Sequence, residues 1–235
     1  MERDLSLADR KVDTKLGKIV VVFDIDEIDR HFQESVALIQ KQLDHIDDIA
    51  ILDVCIAEEV LRSQIVALDS AFDFYLHEVI KLGIVEMYCG TWIVSSTEKY
   101  KNLSFRMSFL ETAVAEQKGS DWLKKWVDDE WIKGAYMSYS AFKAVCNLIG
   151  IKVKDISNVF YQRGCKKKTT DQLQNAIDKL FRHRNRIAHQ SDRKSRNAVR
   201  HTISKEDVEK YIYNIRRIVA GMTAQILYAK VFSPT

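Results

Sequence analysis

A chain of 235 residues that holds a single proline, Pro234, and only eight glycines has few ways to turn sharply. Sandwiches and barrels need frequent turns at positive or fixed φ, and these two residue types supply them. A doubly wound α/β fold would need repeated strand, glycine-loop and helix units, and none is present. Helices joined by short polar loops remain. Apolar residues at 46% and charged residues at 29% fit a packed domain rather than a disordered chain or a coiled-coil rod.

Periodicity places those helices. Ile28, Phe32, Val36, Ile39, Leu43 and Ile46 recur at steps of three and four, one face of a helix. Leu61, Ile65, Leu68, Phe72, Leu76 and Val79 mark a second, expected over about 51–82. Further helices are expected over 105–117, 121–132 and 139–148, from about Thr170, and from Ser204 to about Lys230. Ser204 and Asp207 have the spacing of a capping box. Met87 to Leu103 reads as loop, and the β-branched run Ile19 to Phe23 reads as a short strand. Residues 1–17 are polar and unperiodic, so 1–25 are expected as an N-terminal extension of a helical domain over 26–235.

Several chemistries can be set aside. Cys55, Cys89, Cys146 and Cys165 form no CxxC and no Cys–His cluster, so reduced thiols mostly in the core are expected rather than a zinc site or a disulfide framework. Trp122, Trp126 and Trp131 fall near one stripe and are expected in a core or interface. The longest aliphatic run stops at Asp24, far short of the roughly 20 residues of a membrane span. No apolar stretch follows the charged N-terminus as in a signal peptide. A soluble, cytoplasmic protein without a membrane partner is expected.

Charge is unevenly placed. The formal net charge is +3, yet Arg163 to His201 holds twelve Lys and Arg against three Asp, leaving −6 on the rest. A basic segment on an acidic body is the footprint of a protein that meets phosphates, or of a solvated basic face. Inside this segment Leu173, Ile177, Leu180, Arg184 and Ile187 step by four, three, four and three. Arg184 therefore stands where a core residue belongs, and a guanidinium there needs a carboxylate or a phosphate to face it. Asp69, Asp73 and His77 share a helix face, and Asp73 is the candidate partner. His189 follows Asn185 by one turn, so the amide could orient the imidazole. Arg184 and His189 diverge by about 140° on a continuous helix.

Arg184-Asn185-Arg186-Ile187-Ala188-His189 has the form R-N-x-x-x-H. It resembles the signature of HEPN domains (higher eukaryotes and prokaryotes nucleotide-binding). The upstream Asp73-Phe74-Tyr75-Leu76-His77-Glu78 is similar to the D-x-Y-hydrophobic-H-[DE] stretch of the RiboL-PSP-type members, and the likeness covers roughly 50–230. It implies an all-α, HEPN-type helical bundle that carries a short N-terminal strand or extended segment. It also implies a metal-independent endoribonuclease without cofactor, in which two domains pair to form one composite cleft. Carried over, His189 serves acid–base chemistry as the ribose 2′-hydroxyl attacks the adjacent phosphate, Arg184 faces that phosphate, and Asn185 is the polar position after it. Asp73 and Glu78 would support them; Lys166, Lys167, Lys168, Arg182 and Arg186 would contact RNA. Toxin–antitoxin or antiphage duty, with an antitoxin or defence-system partner protein, follows from the resemblance alone. A catalytically silent RNA- or protein-binding module is the alternative. Ile19 to Asp26 also resembles the strand-borne D-x-D of haloacid-dehalogenase phosphatases, but the residues that should follow are missing.

Overall fold

In the computed structural model, residues 20–92, 97–115, 119–131, 134 and 136–231 are described. Ten α-helices are found among them, with no strand. The order is α1 (Ile25–Asp44), α2 (Ile46–Leu52), α3 (Val54–Cys89), α4 (Glu98–Lys101), α5 (Met107–Ala115) and α6 (Asp121–Trp131). It continues with α7 (Tyr139–Leu148), α8 (Val153–Ser157), a 3₁₀ turn at Asn158–Phe160, α9 (Thr169–Gln190) and α10 (Lys205–Val231). Residues 1–19 of the extension expected over 1–25, including Ile19, the first residue of the expected strand, lie outside the described residues.

α3 organises the molecule. Its 36 residues span about 54 Å at 1.5 Å per residue. Apolar side chains surround its middle, as expected of a helix buried on all sides: Ile65, Leu68, Phe72, Leu76, Val79, Ile80 and Ile84 are fully buried. α1, α2, α9 and α10 lie along it, with α6 and α7 against its second half. Asp53 starts α3 by accepting hydrogen bonds from the Cys55 and Ile56 amides. Gly90 ends it at φ 75°, with its amide turned back onto the Met87 carbonyl, a left-handed cap that glycine adopts freely. α10 needs a bare backbone at Gly221, where a Cβ would stand 2.7 Å from Val159 Cγ1.

Residues 20–24 form no strand. No neighbouring strand is present among the described residues, so the β-branched run has nothing to pair with. Asp24 instead opens α1 through a capping box with Glu27, which also removes the phosphatase reading of that aspartate. The helix expected over 51–82 is divided at Asp53 and runs on to Cys89; α4 gives the expected loop one helical turn. The capping box of Ser204 and Asp207 is formed in both directions. Trp122 and Trp126 pack in the core around Phe105, while the Trp131 side chain lies outside what is described. Cys146 is buried, but Cys55, Cys89 and Cys165 are exposed, against the expectation of mostly core thiols.

Candidate active site

α9 packs against α3 through Leu173, Ala176, Ile177 and Leu180. The next position on that stripe is Arg184, and the same packing carries its guanidinium to α3. There the anion is Asp69, with 3.3 Å between Arg184 Nε and Asp69 Oδ2. Asp69 is 4% exposed, whereas the Arg184 side chain retains 35% of its surface. Arg184 Nη1 donates to Asn185 Oδ1 at 3.1 Å. Asp69 Oδ1 accepts no hydrogen bond among the described residues. Burial drives the Asp69 carboxyl up to about 7, although the Arg184 charge pulls it down; Asp73 nearby pushes it further up.

Asp73, the expected partner of Arg184, has other tasks one turn along. Its Oδ1 accepts from the Tyr136 amide at 2.9 Å, and its Oδ2 lies 3.5 Å from His77 Nε2. Burial acts to raise this carboxyl, but His77, the Tyr136 amide and Arg184 outweigh it and hold it below the ordinary range. Glu78 belongs to a different part of the molecule. Nine residues after Asp69 it points about 180° away, into a buried group where Lys81 bridges Glu78 at 2.8 Å and Asp128 at 3.1 Å. Glu78 therefore does not reach Arg184, and Asp69 is the carboxylate beside it.

His189 occupies the last turn of α9 and is exposed. It makes no hydrogen bond or ion pair with any described residue. The end of α9 is held by a residue with no counterpart in the motif. Ser191 and Asp192 both take left-handed backbone, at φ 47° and 55°, and turn the chain back. Asp192 is fully buried and accepts from Arg62 Nε at 3.1 Å and from Arg186 Nε. Arg62, 2% exposed, also donates to the His201 carbonyl at 2.7 Å and pairs with Glu58 and Glu59. Burial opposes ionisation of Asp192, but its bonds from Arg186 and Arg62 prevail and its carboxyl lies below the ordinary value. Arg186, expected on RNA, is thus spent on fixing the turn after His189. Arg182 remains exposed and donates from Nε to the Asp178 carbonyl.

Lys166, Lys167 and Lys168 are exposed at the opposite end of α9. Lys168 and His189 are separated by about 32 Å of helix. The three lysines border a groove of about 840 Å³ between the start of α9 and α10. No group of three or more His, Cys, Asp or Glu among the described residues is arranged to hold a metal ion.

Helices around a long central one, with Arg-Asn-x-x-x-His at the end of the last helix but one, define the class of protein. A family model described as RiboL-PSP-HEPN matches residues 30–227, and the chain belongs to that family. No curated protein and no solved structure matches it. No helix among the described residues is long and apolar enough to cross a membrane.

Proposed function

We propose that the protein is a metal-independent endoribonuclease working as a homodimer in the cytoplasm. The observation that carries this reading is the state of the motif's arginine and histidine. Arg184 is aimed by a buried carboxylate yet keeps part of its surface and most of its five N–H donors. His189 is a free imidazole on a turn that Asp192 holds in place. In the reaction the imidazole accepts the 2′-hydroxyl proton as that oxygen bonds to phosphorus. The bond to the 5′-oxygen breaks, and a protonated imidazole returns a proton to the leaving oxygen. The products are a 2′,3′-cyclic phosphate and a 5′-hydroxyl. Arg184 stabilises the charge developing on the phosphoryl oxygens, and Asn185 keeps its guanidinium in register.

A second copy is needed because Arg184 faces α3 while His189 points away. Supporting it, Ile51, Leu52, Val54 and Ile56 are 83%, 87%, 62% and 56% exposed at the elbow between α2 and α3. Arg62, within about 12 Å of that elbow along α3, reaches Asp192 beyond His189. An apolar patch at the His189 end suits a two-fold interface that joins two motifs. Toxin–antitoxin or antiphage duty, with an antitoxin or defence-system partner, accords with such an activity.

Labelled RNA with excess EDTA tests the reaction: cleavage persists, 5′ fragments end in 2′,3′-cyclic phosphate, and His189→Ala abolishes it. Light scattering at micromolar concentration is expected to report a dimer. The ion pair between Arg184 and Asp69 favours one competing reading, a silent RNA- or protein-binding module. Intact RNA under every condition would establish that module instead.

A further inference from the structure

The groove between α9 and α10 has a composition that the motif does not explain. Lys166, Lys167, Lys168, Lys179, Lys210 and Arg217 line it against two acids, Asp171 and Asp207. Asp207 is already engaged by the Ser204 amide. None of the five lysines makes an ion pair with a described residue, so their charge faces the groove uncompensated. Aromatic surface stands among them: the Arg217 guanidinium lies 4.8 Å from the Phe160 ring centre and 5.1 Å from that of Tyr213. Tyr213 is 59% exposed, and the amides of Asn175 and Asn214 complete the wall. Lysines serve phosphates as point charges, an exposed ring offers a face to any base, and amides can meet base edges.

The groove is also connected to the motif. Lys168, Gln172, Asn175, Lys179, Arg182, Arg186 and His189 follow one another at steps of four and three, so one face of α9 runs from the groove to the imidazole. From Lys179 to His189 the rise is about 15 Å, roughly four nucleotides of a stacked strand.

We propose that this groove binds single-stranded RNA and holds the flank of the strand whose scissile phosphodiester lies at His189. The inference rests on the ribonuclease reading for the position of the cut, though not for the binding itself. An acidic peptide is the competing occupant. It would meet planar carboxylates with five lysines and one arginine, a poor match for a ligand that arginine pairs bidentately, and it would leave the exposed surface of Tyr213 uncovered.

The test uses the full chain carrying His189→Ala, so that RNA stays intact, and a fluorescein-labelled oligouridylate of about twelve nucleotides. Anisotropy is read across a salt series. Adding Lys179→Gln with Lys210→Gln is expected to weaken binding at least tenfold at low salt. The slope of log K against log salt should become shallower by about 1.4, two single-strand phosphate contacts. Tyr213→Ala should weaken binding about tenfold with the slope unchanged, because stacking releases no counterions. Lys99→Gln with Lys143→Gln, equal in charge and outside the groove, should change neither quantity. Equal losses from both lysine pairs would overturn the site, as would a polyglutamate that binds as tightly as RNA and is lost with the same variants. In the His189 parent, Lys179→Gln with Lys210→Gln is expected to raise KM and spare kcat; an unchanged KM on RNA that is cleaved would detach the groove from the cut. Groove binding that obeys these expectations in a parent that cleaves nothing would leave the binding site standing and remove the ribonuclease reading.

Discussion

The two ends of α9 are built from similar residues and do opposite things with them. At its C-terminal end, Arg184 and Arg186 meet the carboxylates Asp69 and Asp192, both buried. At its start, Lys166, Lys167, Lys168 and Lys179 border a groove, and none of them forms an ion pair with a described residue. A count of basic residues treats the halves alike. What separates them is desolvation: a cation pressed toward the core must be given an anion by the protein, while a cation at a groove wall can wait for one from solvent. The end carrying the motif is therefore the rigid one, and the end proposed to bind RNA is the adaptable one.

The largest effect that would break this contrast concerns Asp192. Asp192→Ala removes the anion that Arg62 and Arg186 share, although Arg62 keeps Glu58 and Glu59; with two charge-assisted hydrogen bonds lost, unfolding in urea should show a cost of about 3–5 kcal/mol. A loss below about 1 kcal/mol would mean that the end of α9 is not held this way.

Asp69 sharpens the contrast through pH. Its folded value of about 7 lies above the unfolded carboxylate value, so the folded state binds more protons between them. Stability should accordingly fall as pH rises from about 4 to 7, by roughly 2–4 kcal/mol at full effect. Asp69→Asn cannot ionise and should flatten that part of a stability–pH profile measured by thermal unfolding. An equally sloped profile in the variant would assign the dependence to another group.

Glu78→Gln tests a motif residue that lies away from the site. It leaves Lys81 its bridge to Asp128, so a cost of about 1–2 kcal/mol is expected, with RNA cleavage per folded molecule unchanged. Cleavage that fails in a folded Glu78→Gln chain would return this residue to the chemistry.

The smallest stability effect belongs to the lysines. Replacing Lys166, Lys167 and Lys168 together by Ala should shift unfolding by no more than about 0.5 kcal/mol. The salt slope of RNA binding should nevertheless become shallower by about 2. An unchanged slope would place the RNA path elsewhere.

Much of this was legible along the chain. The scarcity of proline and glycine implied helices, and the steps of three and four located them, because a helix's buried stripe is a local property of its own residues. The same rule showed that Arg184 occupies a core position and must face an anion, and that His189 diverges from it. Local pattern misled where a neighbour decides: Ile19 to Phe23 had the composition of a strand, but its described residues, 20–23, meet no strand among the described residues. Asp73 was the candidate anion for Arg184 and Asp69 meets it instead, because the two share a face of α3 and only the height at which α9 crosses selects the first. Asp192 and Arg62 are 130 positions apart, and no spacing rule joins them. Sequence alone determined the helices, the basic segment and the arginine on the core-facing stripe of α9, all consequences of short-range geometry and composition. Tertiary packing alone decided which cations are neutralised and which stay open to a ligand, because desolvation depends on what the rest of the chain brings alongside.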